Sequence, residues 1–178
     1  MSASVVSSGS QLCNVKAITG ATNATPVVVT TATHGFSNGD RIAIADCDVP
    51  ALNGIWTIAN VTGTTFELVG TTAPGAAATT GTCGRELIVY TTTALGIFVF
   101  QTNLAPMASG DEALMITSGK VASAGAFVDF KVDSYIGAQS LDLYQLNPPA
   151  VTPFSHRFSI LQYKGTARTF EWAVLRVQ

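Results

Sequence analysis

Histidine is the usual general base of a nucleophilic hydrolase, and this sequence has two candidates, His34 and His156. A Ser or Cys nucleophile needs such a base within hydrogen-bond reach. His34 precedes Gly35 in a turn-like segment, and His156 follows a proline-rich stretch at 147–153. We therefore interpret His34 as a turn residue bound to backbone groups and His156-Arg157 as the edge of a strand. If exposed, that pair could contact an acidic neighbour.

Asp129 and Asp133 are candidates for the paired carboxylates of a glycoside hydrolase. Such enzymes hold their two carboxyl groups roughly 5 to 9.5 Å apart in a cleft. Strand geometry instead puts these two about 13 Å apart on one face of a strand, with Lys131 between them. The pattern therefore predicts a solvated strand face.

Loop carboxylates and cysteines are the candidate metal ligands. Asp46 and Asp48, near Asp40, offer oxygen ligands of the kind that calcium binds, although a complete ligand set is not visible. The cysteines are widely spaced and lack a CxxC pair, which favours buried thiols over zinc ligation or a disulfide framework. They are Cys13, Cys47 and Cys83. We predict no catalytic, cofactor-binding or metal-binding residue.

Aromatic side chains offer one further chemistry, a platform on which sugar rings stack. Most of them stand inside alternating segments, where packing in a core or an interface is the usual role. The aromatic residues in question are Trp56, Tyr90, Tyr135, Tyr144 and Trp172.

These residues must be positioned by strands, because period-two alternation recurs and no window keeps a helical period. In the first half, short alternating or β-branched runs at 27–30, 41–45, 55–60 and 65–68 are separated by Gly- and Asn-containing turns. That spacing predicts a small antiparallel β-barrel. The second half contains at least seven such runs in about 95 residues, which predicts a jelly-roll-like β-sandwich. The fold class is therefore all-β.

Three details of the second half follow from the same patterns. In 127–133, alternation predicts that Val128, Phe130 and Val132 face the core. The prolines of 147–153 predict an extended loop, since proline cannot donate in a sheet. Runs at 158–163 and 170–177 predict a hairpin that turns at residues 164–167.

Domain boundaries follow from composition. Residues 1–16 begin with a Ser-rich stretch, which predicts a mobile N-terminal arm that orders against a neighbouring subunit. Residues 17–84 form the predicted barrel module and end in a low-complexity run of small residues at 71–84. Residues 85–178 form the predicted sandwich domain.

Charge and hydropathy restrict the partners. Charged residues make up only 11% of the chain, so much of its surface is expected to be buried against other subunits. The net charge of −2 argues against nucleic-acid binding, which requires a basic face. The residues after Met1 lack the pattern of a signal peptide, and no apolar run predicts a membrane span.

The N-terminal blocks VVVTTATHGFSNGDRIAI, NGIWTIANV and TTFELVG resemble a β-module of tailed-bacteriophage structural proteins. That module is often named after the four-catalytic-cysteine-hairpin (FCCH) region of ubiquitin-activating enzyme. The resemblance covers roughly residues 17–84 and implies a compact barrel used as a building block, without an active site or ubiquitin chemistry. The segment around Cys47 departs from the usual small Gly/Ser-rich loop. The matched positions are His34, Gly35, Gly39, Asp40, Asn53, Gly54 and Phe66.

The C-terminal blocks GDEALMITSGKV, NPPAVTP and LQYKGTARTFEWAVLRV are similar to a pattern in small phage virion proteins, over roughly residues 97–177. Both resemblances imply a non-enzymatic virion structural protein, assembled in the host cytoplasm. Capsid decoration is the expected role, as a homotrimer bound to the major capsid protein or other virion subunits. The alternatives are a tail, neck or fibre-base component and a carbohydrate-binding receptor module.

Overall fold

The computed structural model describes residues 3–93, 97–120, 125–140, 142–147 and 155–177. Within these ranges the chain is all-β, and its only helix is the short 3-10 turn Pro50–Leu52. The strands are β1 (Ala3–Leu12), β2 (Val15–Ala21), β3 (Val27–Thr31), β4 (Arg41–Ala45), β5 (Gly54–Ala59), β6 (Thr65–Leu68), β7 (Thr82–Arg85), β8 (Leu87–Thr92), β9 (Ile97–Asn103), β10 (Glu112–Lys120), β11 (Val128–Ile136), β12 (Asp142–Asn147), β13 (Ser155–Lys164) and β14 (Thr169–Val177). The predicted all-β fold class is confirmed. No helix in the described ranges has the length and hydropathy needed to cross a membrane.

Strands β2 to β7 close into a barrel in the order β2-β3-β6-β5-β4-β7. Alternation places Val29 opposite Phe66 and Ile42 opposite Trp56, so that one face of each strand points into the barrel. Val29, Ile42 and Phe66 are fully buried there, with Trp56 packed against them. All buried members of this cluster lie between Ile18 and Cys83, so the barrel has its own hydrophobic core.

The remaining strands form two four-stranded sheets, β1-β14-β9-β12 and β11-β10-β13-β8. Successive strands from β8 to β14 mostly alternate between the two sheets, and this strand order is that of a jelly roll. Phe100 on β9 and Phe158 on β13 stack across the sandwich with ring centroids 5.3 Å apart. Phe98, Ile160 and Phe170 complete the most buried part of this second core.

The predicted N-terminal arm differs from the structure. The segment Ala3–Leu12 is a full strand, β1, which pairs antiparallel with β14 from Ala3 opposite Val177 to Leu12 opposite Thr169. Its Ser-rich side chains contribute little apolar area, but a strand at a sheet edge satisfies its backbone groups through the neighbouring strand. β1 is thus the first strand of the jelly roll, and the barrel strands are inserted between it and β8.

The predicted hairpin of the last two strands is wrong. β13 and β14 belong to different sheets, since β13 lies between β10 and β8 while β14 lies between β1 and β9. Both edges of each strand are therefore occupied by other partners. In the turn between them, the Gln162 side-chain amide donates to the carbonyl oxygens of Lys164 and Thr166, at 3.2 and 2.7 Å. The extended loop predicted for 147–153 lies, after residue 147, outside the described residues.

The chain divides into two compact units. One consists of Met1–Cys13, Leu87–Ile160 and Arg168–Gln178, and the other of Asn14–Glu86 and Leu161–Ala167. The sandwich unit thus takes residues from both sides of the barrel in the sequence. The predicted boundary near residue 85 separates most of the two units, but Met1–Cys13 belongs to the sandwich unit and Leu161–Ala167 to the barrel unit.

Candidate interaction surface

Strand β11 carries a row of exposed apolar side chains on one face. We call this the outward row; its members and their exposed fractions are Val128 (67%), Phe130 (46%), Val132 (45%) and Ile136 (67%). The prediction that Val128, Phe130 and Val132 face the core is therefore wrong. The alternation itself is present, with each of these residues more exposed than its neighbours.

The pairing of β11 with β10 explains which face turns inward. Met115 of β10 is fully buried in the sandwich core and lies opposite Asp133, while buried Ala113 lies opposite Tyr135. Directly opposed residues share a sheet face. Asp133 and Tyr135 therefore lie on the core side of β11, and Tyr135 packs against the core. Burial and the nearby charge of Asp133 raise the pKa of Tyr135 to about 12.

The polar side of β11 is held by local contacts at the margin of the sandwich. The Lys131 ammonium lies 3.1 Å from the Asp133 carboxylate, and the Ser118 hydroxyl donates to Asp129 at 2.8 Å. Asp129, Lys131 and Asp133 are all half-buried. Asp129 and Asp133 therefore each have their own polar partner.

β11 is also an edge strand. In the described part of the chain it pairs only with β10, so its other edge presents backbone N–H and C=O groups. The register shifts opposite Thr117 and Ser118, which leaves Phe130 as an extra residue on β11. Such a bulge increases the local twist of a strand. An exposed apolar row beside an open edge is a typical surface for association.

A cationic cluster lies at one end of this surface. The guanidinium carbon of Arg157 sits 3.7 Å from the centroid of the Phe127 ring, and the Lys120 ammonium sits 5.4 Å from it. His156 lies next to this cluster but is only 2% exposed, with its ring 6.2 Å from that of Phe130. His156 and Arg157 lie at the start of β13, and the burial of His156 rules out the alternative in which both are exposed to an acidic neighbour. Burial lowers the pKa of His156.

A second surface feature is an open groove of about 240 Å³ on the sheet that contains β9 and β14. It is lined by five residues, Gln101, Asn103, Glu171, Trp172 and Ala173. The Trp172 indole lies against β1, where a β-carbon on Gly9 would approach it to 3.0 Å. Amide and carboxylate groups can hydrogen-bond the hydroxyls of a sugar.

His34 is a turn residue, as predicted. Its Nδ1 accepts a hydrogen bond from the backbone N–H of Phe36 at 2.9 Å, and its ring stacks on Phe36 with centroids 4.5 Å apart. The Asn14 side-chain amide donates to the carbonyl oxygen of His34. Burial lowers the pKa of the ring. The imidazole therefore works as a buried acceptor that shapes the turn.

The loop aspartates do not converge. Asp48 accepts hydrogen bonds from the backbone N–H and hydroxyl of Thr79, which hold the pKa of this carboxyl below its usual value. Asp46 pairs with Lys164 at 2.9 Å. Asp40 pairs separately, with Arg85 at 3.2 Å. The described residues contain no group of three or more acidic, His or Cys side chains placed to hold a metal ion.

The cysteines and aromatic residues lie mostly inside the cores. The three cysteines are buried thiols without a disulfide, as predicted, and burial raises the pKa of Cys83 to about 12. Trp56 donates its indole N–H to the carbonyl oxygen of Leu52 at 2.8 Å and packs on the barrel core. Tyr90, Tyr135 and Trp172 pack on the sandwich core. The side chain of Tyr144 lies outside the described residues.

Comparison with protein-family models, with curated proteins and with solved structures found no match to this chain. Sequence reasoning missed the open edge of β11 and the groove beside Trp172. The edge left one signal in the sequence, a run of alternating apolar and charged residues at 128–133 that is polar on one side and apolar on the other. The groove left none, since its lining residues come from two strands about 70 positions apart.

Proposed function

We propose that this chain is a non-enzymatic structural protein of a tailed-bacteriophage virion, and that it decorates the capsid shell. The observation that carries the proposal is the outward row of β11, four apolar side chains that are each 45% exposed or more. Apolar area of this kind favours association because its removal from water is stabilising by about 25 cal/mol per Å². A second copy or another virion subunit is the natural cover for it.

Three further observations support an assembly role. Charged residues make up only 11% of the chain, which leaves little charge to keep copies apart. The jelly roll is an architecture that viral capsid domains use, among others. The barrel and sandwich blocks resemble modules of phage virion proteins. The partners are then the major capsid protein or other virion subunits, and a homotrimer suits the three-fold positions of an icosahedral shell.

Binding to particles tests the proposal. Purified chain is mixed with particles of the encoding phage that lack it, and co-sedimentation is measured for the wild type and for V128T/F130T/V132T/I136T. The wild type is expected to sediment with particles, and the variant to remain in solution. A control variant, I55T/V69T, removes two exposed apolar side chains of the barrel and should still bind. Absence of the chain from purified wild-type virions would refute the proposal.

Electron microscopy of the same particles distinguishes the positions within the virion. Density for the chain on the head shell supports decoration. Density at the tail, neck or fibre base supports the alternative structural role, which uses the same two modules. In either position the outward row of β11 should be covered.

The groove lined by Gln101, Asn103, Glu171 and Trp172 favours a second candidate function, carbohydrate binding by a receptor module. Glycan-array binding by the wild type, lost in Q101A and E171A, would support it. The matched control is E67A, which removes a half-buried carboxylate from the barrel strand β6. If the wild type binds no glycan on the array, the assembly role is the one of these two candidates that remains.

A further inference from the structure

Strand β11 is complementary to itself when two copies run antiparallel. It spans nine residues, Val128–Ile136, and its central residue is Val132. We propose that the open edge of β11 pairs with the same edge of a second copy of this chain, antiparallel about Val132. The two four-stranded sheets that contain β11 would then form one continuous sheet across a two-fold axis.

Charge complementarity on the polar side of the strand carries this proposal. In the register centred on Val132, Lys131 of one copy lies opposite Asp133 of the other, and the two-fold axis repeats this pair. Directly opposed residues have β-carbons about 4.5 to 5.5 Å apart, and opposite charges at that distance attract. Asp129 lies opposite Tyr135 in the same register, which places a hydroxyl donor against a carboxylate. All four polar positions are therefore matched.

The apolar side of the strand is matched as well. Val132 meets its own copy at the centre, and Val128 lies opposite Ile136 at both ends. Phe130 lies opposite Ser134, a small residue that leaves room for the ring. Pairing therefore joins the two outward rows into one continuous apolar strip, and the side chains that flank each other lose water-exposed area.

Other registers are less favourable. A shift of the centre by one residue places Lys131 against its own copy, or Asp133 against its own copy, and like charges directly opposed are destabilising. A centre at Phe130 would match Asp129 with Lys131, but it pairs only the five residues Val128–Val132. Lysines and bulges often protect sheet edges from unwanted pairing. Here the lysine selects one register, because its opposite position holds an aspartate.

This inference rests on the self-association part of the proposed function. A two-fold contact joins chains in pairs, so in a homotrimer it would link one trimer to the next. The tests below use the purified chain alone. Their failure would refute pairing through β11, whereas absence of the chain from virions would refute the proposed virion role.

Charge reversal provides the first test. The masses of the wild type, K131E, D133K and the exchanged double variant K131D/D133K are measured by light scattering after size exclusion. We expect the wild type to be an even multiple of the 18.5 kDa chain, the single variants to have half that mass or a dissociation constant at least tenfold weaker, and the double variant to recover. K16E is the matched control, a half-buried lysine on the barrel strand β2, and should behave as the wild type.

Disulfide trapping tests the register independently of charge. Two cysteines at position 132 would have α-carbons about 4.5 to 5.5 Å apart across the axis, within the range of a disulfide. Two cysteines at position 130 would have α-carbons about 13 Å apart in the same register. Phe130 and Val132 are matched in exposure, at 46% and 45%, and the native thiols are buried. Under mild oxidation V132C should therefore form a covalent dimer, and F130C should not.

The outcomes that overturn the proposal are specific. They are a wild type that remains a single chain or an odd multiple at 100 μM, single charge variants that associate like the wild type, or a double variant that fails to recover. Equal trapping of V132C and F130C, trapping of F130C alone, or trapping of neither would also overturn it. Circular dichroism of each variant verifies that the β-fold is retained, so that loss of mass reports on the contact.

Discussion

The backbone of Gly84 lies directly against the carbonyl oxygen of Gln162. A β-carbon built on Gly84 would stand 1.8 Å from that oxygen and 2.9 Å from the α-carbon of Tyr163. Both obstacles are backbone atoms, which cannot rotate away as a side chain can. Strand β7 of the barrel and the end of β13 can approach this closely only because residue 84 has no side chain.

Gly84→Ala should therefore destabilise the barrel by about 3 kcal/mol or more, since overpacking against backbone forces a shift of one strand. Urea unfolding followed by tryptophan fluorescence measures the change, because Trp56 packs on the barrel core. Gly63→Ala is the control. A β-carbon there would meet nothing within 4 Å, so its effect should stay within roughly 0.5 kcal/mol. Equal stability of the two variants would contradict the prediction.

Asp111→Asn should destabilise the sandwich by about 2 kcal/mol. The Asp111 side chain is 2% exposed, and its carboxylate accepts from Arg168 Nε at 2.7 Å and from the backbone N–H of Ala108 at 2.8 Å. Hydrogen bonds to a buried charge contribute about 1.5 to 3 kcal/mol, and the amide replaces one acceptor by a donor.

The comparison for that variant is Asp46→Asn. Asp46 pairs with Lys164 at a similar distance, 2.9 Å, but its side chain is 56% exposed. Exposed ion pairs contribute about 0 to 1 kcal/mol. Denaturant midpoints of both variants should therefore differ clearly, and the prediction fails if Asp46→Asn is the more destabilising.

Stability should decrease as the pH falls below about 6.5, the ordinary pKa of histidine. Burial lowers the folded-state pKa of both His34 and His156. The unfolded chain therefore binds these protons first, and protonation favours unfolding. The stabilisation is complete above the unfolded pKa and is lost as the pH drops below it.

The free energy of unfolding measured between roughly pH 5 and 7.5 tests this, with carboxylates contributing mainly at lower pH. In the double variant His34→Asn/His156→Asn the slope over this range should largely disappear. Asn at position 34 keeps an oxygen acceptor for the backbone N–H of Phe36. An unchanged slope in the double variant would assign the pH dependence to other groups.

The native thiols should react slowly with Ellman's reagent. All three cysteines are buried, and the pKa of Cys83 is raised to about 12, so little reactive thiolate is present near neutral pH. Addition of denaturant should release three thiols per chain. Rapid reaction of any native cysteine would show that its part of the core opens readily.

Much of the barrel could be predicted from local patterns. The run 65–68 was predicted as an alternating strand, and in the structure Phe66 and Leu68 are fully buried while Thr65 and Glu67 are not. Such short strands, with their turns, are specified by neighbouring residues in the sequence. His34 was identified in the same way, because its role depends on Phe36, two positions away.

The orientation of β11 could not be predicted in this manner. Alternation separates two faces but does not say which one meets the core, and that choice is made by the contact of Tyr135 and Asp133 with β10. The partner of β1 was equally hidden, since Ala3 pairs with Val177 at the opposite end of the sequence. Pairings at such separation leave no local signal in a single sequence.

The insertion of the barrel strands between β1 and β8 has a consequence for synthesis. As the nascent chain leaves the ribosome, β1 emerges first but its partner β14 emerges last. Strands β2 to β7 appear in one uninterrupted stretch and pair among themselves, so they can associate early. The sandwich has contacts of high sequence separation, which slow folding. The sheet edge of β1 therefore has no partner until β14 has been synthesised.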